Sequence, residues 1–98
     1  MKQFKELDPL LHSQLRLAIM SLLISVEEAE FTYLKEKTGA TAGNLSVQLS
    51  KLSEANYISV EKKFRDNKPL TQCRITPSGT KAFQQYVEAL KEYLSPEM

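Results

Sequence analysis

Residues 39–58 of this 98-residue chain, GATAGNLSVQLSKLSEANYI, carry the sequence signals from which its fold is predicted. The leucines of this stretch recur at helical spacing, which predicts an amphipathic helix over 41–55 with one buried stripe: Leu45, Leu49 and Leu52. Thr41 is a suitable N-cap, because its hydroxyl can accept a hydrogen bond from a backbone N–H group of the first turn. Asn56 tolerates a positive φ and is expected to end the helix.

Short elements lie on both sides of this helix. A short helix capped by Thr32 is expected to end at Gly39, so a three-residue turn joins two helices in a helix-turn-helix arrangement. Residues 57–64 alternate in polarity as a half-buried strand does, and residues 70–75 form a second strand. The intervening residues have turn composition, so a β-hairpin follows the third helix directly and the fold is a winged helix.

Two longer helices are predicted outside this centre, over 9–26 and 77–94. Asp8 and Thr76 are their expected N-caps, each followed by a proline at the first helical position. Residues 1–8 are a short lead-in, and the acidic residues 27–30 are expected to form a linker. The prediction is a single α+β, mainly helical domain over 1–98: long helix, short helix, third helix, β-hairpin wing and long C-terminal helix.

Composition excludes several classes of protein. The chain has one cysteine, Cys73, and one histidine, His12, which is too few for an intrachain disulfide or a four-ligand zinc site. No apolar run approaches the roughly 20 residues of a membrane span, and residues 1–6 lack the apolar core of a secretory signal. We therefore expect a cytoplasmic protein with no membrane partner.

Catalytic chemistry is not indicated either. The sequence has no glycine-rich phosphate loop and no carboxylates at metal-binding spacing, and its one histidine lies on an apolar helix. We therefore predict that the protein is not an enzyme and needs no cofactor or metal.

The charge is distributed unevenly along the chain. Residues 31–81 hold nine basic and four acidic residues, hence a net charge of +5, whereas the two flanks hold four basic and eight acidic residues, hence −4. A basic centre between acidic ends suggests that the centre faces a polyanion. Four basic residues lie around the tip of the hairpin, Lys62, Lys63, Arg65 and Lys68, and they can contact phosphate or can simply keep an exposed hairpin in solution.

The polar face of the third helix suits contact with DNA. Gly43 and Ser46 are small enough for close approach, and the amides of Asn44 and Gln48 can pair with adenine in the major groove. Lys51 and the backbone N–H groups at the start of the helix can contact phosphate. The alternative is an ordinary solvent-exposed helix face. Such a face is usually rich in strong helix formers such as glutamate, lysine and alanine, whereas serine and asparagine are weak helix formers.

The first helix has apolar side chains on two sides. One side can pack on the domain's own core, and the second side carries Leu10, Leu17, Met20 and Ile24. A helix that is apolar all round must be buried all round, so we expect either a partner chain or a later helix of the same chain to cover the second side. A dimer interface would also include Ala82, Ala89 and Tyr93 of the last helix. Arg16 and His12, one turn apart, are expected to contact phosphate or that partner.

The sequence resembles the small prokaryotic winged-helix transcription regulators of the broad MarR/ArsR-like group. The resemblance covers roughly residues 9–94 and is carried by five stretches in order: 12–20, 31–35, 41–52, 55–58 and 74–79. It implies a dimeric DNA-binding regulator whose third helix, the recognition helix, enters the major groove. The implied recognition positions are Gly43, Asn44, Ser46, Val47, Gln48 and Lys51, and the implied wing spans 62–70.

Three positions depart from the pattern of that group. Asn56 stands where the group often has glycine, and Val47 and Gln48 stand where related regulators often carry arginine and histidine. Asn56 is a tolerable change at the end of a helix, whereas the departures at Val47 and Gln48 bear on base preference and leave the mode of docking unchanged.

The prediction is a homodimer that binds double-stranded DNA sequence-specifically and represses or otherwise regulates transcription. An unknown small-molecule effector is a possible further partner, bound between the flanking helices and the second chain. The alternative is a winged-helix module that binds other proteins and not DNA. The basic centre favours DNA, because an acidic surface would suit a protein-binding module better.

Overall fold

The computed structural model describes residues 4–95 and confirms the predicted fold, a mainly helical winged helix. Residues 1–3 of the predicted lead-in lie outside the described part. The elements run in the order α1 (Gln14–Val26), β1 (Glu28–Glu30), α2 (Phe31–Thr38), α3 (Ala42–Glu54), β2 (Ile58–Arg65), β3 (Lys68–Ile75) and α4 (Pro77–Leu94). The strands form one antiparallel sheet in the order β1-β3-β2.

The helix-turn-helix is built as its sequence predicts. Gly39 ends α2 with φ 72°, the left-handed conformation that glycine adopts at no steric cost. The Thr41 hydroxyl accepts a hydrogen bond from the backbone N–H of Asn44 at 3.1 Å and so caps α3. Asn56 follows α3 with φ 66°. The two helices are thereby held with one side of α3 on the core.

The hairpin turns more tightly than its sequence suggested. The β2 and β3 strands are joined by two residues only, Asp66 and Asn67, with φ 54° and 64°. Positive φ at both positions is the signature of the type I′ turn, whose twist matches that of the strands. The ladder therefore continues to its last pair, Arg65 opposite Lys68.

Three predictions at element boundaries are wrong. The first helix begins at Gln14 and not at Pro9, because Ser13 is extended (φ −154°, ψ 129°) and residues 9–11 form a separate turn. Asp8 caps that turn instead, since its carboxylate accepts from the Leu10 N–H at 2.9 Å. The expected acidic linker is the strand β1, paired to β3, and α2 begins at Phe31 with Glu30 as its N-cap.

The core lies between the helices and the inner side of the sheet. Its fully buried side chains come from the turn before α1, from α1, α2 and α3, and from both hairpin strands: Leu11, Ile19, Met20, Leu23, Leu34, Leu45, Leu52, Ile58 and Cys73. Tyr86 of α4 closes it at 4% exposure. Burying each such side chain stabilises the fold by about 1.5–3 kcal/mol, so this core fixes the orientation of α3. Val26, the last residue of α1, and Leu94, the last residue of α4, are 42% and 75% exposed and lie outside this core.

Candidate nucleic-acid interface

The exposed side of α3 presents the predicted recognition residues together. Its leucine stripe is buried, so the residues between the leucines point outward, and five of the predicted ones are exposed: Gly43, Asn44, Ser46, Val47 and Lys51. Val47 is the one large apolar side chain among them, at 51% exposure. The space next to Gly43 is open, since a Cβ there would meet nothing within 4 Å. A convex surface of small and polar groups results, suited to lying in a groove.

Gln48 is placed differently from the other predicted recognition residues. It is half-buried, and its side chain is hydrogen-bonded at both ends. Its Oε1 accepts from Nη1 of Arg16 in α1, and its Nε2 donates to Oδ1 of Asn44 at 3.0 Å.

Arg16 therefore joins the candidate site through its hydrogen bond to Gln48, and its expected contact with phosphate or with a partner chain stays a prediction. Spacing along one chain gives no sign that an arginine of α1 and a glutamine of α3 meet. Nδ1 of His12 lies 2.9 Å from the Tyr86 hydroxyl oxygen of the same chain, within hydrogen-bond distance.

The wing residues fall on two faces of the sheet. Side chains alternate along a strand, so Val60, Lys62 and Phe64 share the face that carries buried Ile58. Lys62 and Val60 line a groove beside Ser46 and Ser50 of α3. Lys62 is therefore the predicted wing residue that lies next to the recognition helix.

Lys63 and Arg65 lie on the opposite face and carry acidic partners. Arg65 donates two hydrogen bonds to the Glu30 carboxylate, at 2.7 and 3.0 Å, and Lys63 lies 3.5 Å from Glu61. The Arg65 guanidinium lowers the pKa of Glu30, and Glu30 raises the pKa of Arg65. Lys68, opposite Arg65 in the ladder, is exposed. The positive charge of this face is partly neutralised within the chain.

The predicted dimer residues are not equally available to a partner. Met20 is fully buried and Ala89 is 4% exposed in the single chain, so neither side chain is free to contact a second one. Leu10, Leu17, Ile24 and Ala82 are half-buried. Met20 is unavailable to a partner because it lies close to the core side of α1, next to the fully buried Ile19 and Leu23.

Tyr93 is covered in part by the chain's own N-terminal segment. The ring of Phe4 stacks on it with centroids 4.7 Å apart, and the Tyr93 hydroxyl donates to the Lys5 carbonyl at 2.9 Å. Tyr93 remains 43% exposed.

Other reactive groups of the described residues are not arranged as a site. Cys73 is buried in the sheet, and burial raises the pKa of its thiol to about 11. Within residues 4–95, no three His, Cys, Asp or Glu side chains are grouped closely enough to hold a metal ion. None of the helices in this range has the length and apolar character needed to cross a membrane.

Comparison with known proteins identifies the family and the relatives that this chain resembles. A family model described as a winged helix DNA-binding domain matches residues 15–94. An uncharacterized protein of Methanocaldococcus jannaschii is 38% identical over 76 residues, which make up 78% of this chain and 83% of that protein.

Solved structures share the fold. A transcriptional regulator homologue from Pyrococcus horikoshii OT3 matches with a TM-score of 0.84 and 25% identity, over 89% of this chain and 86% of that one. A MarR mutant from E. coli, complexed with operator DNA, matches with a TM-score of 0.70 and 13% identity, over 84% of this chain and 57% of that one. Match and fold together show that the chain belongs to the winged helix DNA-binding domain family.

Proposed function

We propose that this chain is a homodimer that binds double-stranded DNA sequence-specifically and represses transcription. The observation that carries the proposal is the outward face of α3, where small and amide side chains are exposed on a helix whose opposite side is locked into the core. In a helix-turn-helix protein this is the helix that lies in the major groove. The family and fold are those of regulators, and we infer that the chain is not an enzyme.

The residues of α3 and the wing are assigned two kinds of DNA contact, with bases and with phosphates. Asn44, in the first turn of α3, supports base contact because residues near the start of a recognition helix reach base edges. Lys51, Lys62 and the backbone N–H groups at the start of α3 support phosphate contact. Lys63 and Arg65 of the wing, paired with glutamates in the free protein, would add to backbone contact after exchanging partners, and the exposed Lys68 would add to it directly.

The dimer is supported by the apolar surface of α1 that the chain itself leaves half-covered. Leu17 and Ile24 lie on α1 itself and Leu10 lies in the turn before it; Ala82 of α4 is half-buried as they are. A two-fold axis through this surface would direct two recognition helices at half-sites about one helical turn apart. A small-molecule effector bound at the same place would alter the spacing of the helices, and with it DNA affinity. We further propose that the protein acts in the cytoplasm, where the DNA of a prokaryote lies.

DNA binding is tested with a labelled duplex of about 30 bp and fluorescence anisotropy at several salt concentrations. Binding should weaken steeply with salt, with a slope of log K against log salt of about −0.9 per phosphate neutralised. Lys51→Ala should reduce that slope by about 1 for each copy that binds, whereas Lys81→Ala, an equal loss of charge on α4, should leave it unchanged. A folded protein that does not bind at low salt refutes the proposal and favours the protein-binding alternative.

The dimer is tested by sedimentation with two variants of α1. Ile24→Glu places a charge on the half-covered apolar surface and should yield monomers. Ser21→Glu adds the same charge at an exposed position of the same helix and should remain a dimer. Wild type that sediments as a monomer at micromolar concentration contradicts the proposed assembly.

A further inference from the structure

Three polar side chains form a hydrogen-bonded relay from the interior side of α1 to the exposed face of α3. The relay begins at Arg16, whose Nε donates to the Leu10 carbonyl and whose Nη1 donates to Oε1 of Gln48. It continues from Nε2 of Gln48 to Oδ1 of Asn44, at 3.0 Å. Arg16 and Gln48 are half-buried, whereas Asn44 is exposed. The relay therefore connects the packed part of the domain to the residue best placed to meet a base.

The chemistry of arginine fixes the direction of this relay. A guanidinium carries donors and no acceptor, so the oxygen of the Gln48 amide must face Arg16 and its NH2 group must face Asn44. Asn44 must then turn its oxygen toward Gln48, and the NH2 group of this exposed side chain is the end left to meet a base. An amide usually has two nearly equivalent orientations, but a donor-only group at one end leaves a single consistent arrangement.

We propose that Arg16 and Gln48 are positioning residues that hold Asn44 as a hydrogen-bond donor toward the major groove. This inference rests on the proposed DNA binding and assigns the polarity of its base contact. The atoms that Asn44 would select are the acceptors of the groove: N7 of a purine, O6 of guanine or O4 of thymine. The donor groups, N6 of adenine and N4 of cytosine, would not be selected by the Asn44 amide. Gln48 is thus assigned to orienting Asn44, in place of the base-reading role expected from sequence.

The substitution Gln48→Glu tests this assignment, because it should reverse the hydrogen-bond polarity that Asn44 presents to DNA. The new carboxylate has the shape of the amide and still accepts from Arg16, but its second oxygen also accepts and cannot donate to Asn44. Asn44 must then turn its NH2 group inward and its oxygen outward. The residue that contacts DNA is unchanged, and only the polarity it presents is inverted.

The experiment first selects a preferred duplex from a random pool with the wild-type protein, and locates the position where Asn44→Ala loses its preference. Affinities are then measured on duplexes in which single groove atoms are deleted at and around that position. Acceptors are removed with 7-deazapurines, with 2-aminopurine for guanine and with 5-methyl-2-pyrimidinone for thymine. Donors are removed with nebularine for adenine and 2-pyrimidinone for cytosine.

Wild type should lose about fivefold in affinity on one acceptor-deleted duplex and be insensitive to donor deletion there, as expected for one hydrogen bond. Gln48→Glu should show the opposite pattern. Arg16→Lys keeps a donor-only group and should keep the wild-type pattern, whereas Arg16→Met should respond weakly to both deletions. Lys81→Ala, which matches the loss of charge outside the site, should behave as wild type. Melting temperatures show that each variant is folded.

The outcomes separate this inference from the proposed function. Failure of the wild type to select any sequence refutes sequence-specific binding itself, and the inference with it. Selection by the wild type, combined with the same deletion pattern in wild type and Gln48→Glu, refutes the relay alone and leaves the proposed function standing. A wild-type pattern retained in Arg16→Met would show that Arg16 does not set the orientation.

Discussion

Replacing Gly79 with alanine should destabilise the protein strongly, although alanine is the better helix former. Gly79 is the third residue of α4 and lies against the connection between α3 and β2. A Cβ at this position would lie 2.0 Å from the Tyr57 carbonyl oxygen and 3.1 Å from Cγ1 of Ile75. The oxygen would have to retreat by about 1.4 Å to reach an ordinary contact of 3.4 Å. The φ of Gly79 is not in the left-handed region, so the backbone conformation does not require glycine here. Glycine is required because a Cβ atom has no room.

The cost follows from what that carbonyl holds. The Tyr57 oxygen accepts hydrogen bonds from the Thr76 N–H at 3.1 Å and from the Thr76 hydroxyl at 3.0 Å, so its displacement loosens the N-cap of α4. Overpacking costs about 1–3 kcal/mol, and each hydrogen bond lost costs about 1 kcal/mol. The better helix propensity of alanine returns at most about 1 kcal/mol. We expect a net loss of about 2–4 kcal/mol.

The assay is urea unfolding followed by circular dichroism, at one protein concentration for all variants because a dimer is stabilised by mass action. A loss of this size lowers the melting temperature by about 10 °C or more in a domain of this length. The matched control is Gly43→Ala in α3, where a Cβ meets nothing within 4 Å, and stability should stay level or rise. Equal effects of the two variants would show that space at Gly79 is not the reason for glycine.

Three further results are expected. Glu30→Gln should release Arg65 from its paired carboxylate, tighten non-specific DNA binding and make its salt dependence steeper; unchanged titrations would show that Arg65 stays away from DNA. Cys73 should resist alkylation at pH 8 in the folded protein and react once urea unfolds it, since burial raises the pKa of its thiol to about 11; rapid labelling of folded protein would contradict that burial. Tyr57 donates to the Asp8 carboxylate at 2.6 Å, which raises the pKa of its phenol to about 12, so unfolded chains ionise first and stability should fall from about pH 10 to 12, less so in Tyr57→Phe.

Local signals in the sequence were sufficient for most of the fold. The caps Thr41 and Thr76, the left-handed stops at Gly39 and Asn56, and the leucine stripe of α3 act within a few residues, so spacing alone identifies them. The bounds of α4 are those predicted. What failed depends on distant partners. Residues 28–30 form a strand only because β3 offers a free edge, and a three-residue acidic run carries no sign of this.

The candidate site divides in the same way. The exposed face of α3 follows from helical periodicity, so its members were predictable as a group. Two pairings were not: Arg16 with Gln48, 32 residues apart, and Arg65 with Glu30, 35 residues apart. Each pairing changes the role of a predicted contact residue. Arg65 is already paired with Glu30, so it can contact DNA only by exchanging partners, and Gln48 is already hydrogen-bonded to Arg16, so it acts on DNA through Asn44. Such pairings are set by tertiary packing and not by local pattern.

Selection from a pool of random duplexes shows whether two recognition helices of a dimer read one duplex. We expect enrichment of an inverted repeat whose half-sites lie about 10 bp apart, and loss of that enrichment in Asn44→Ala while salt-sensitive binding to unrelated duplexes persists. Enrichment of no sequence, or of the same sequence with Asn44→Ala, would contradict recognition through the exposed face of α3.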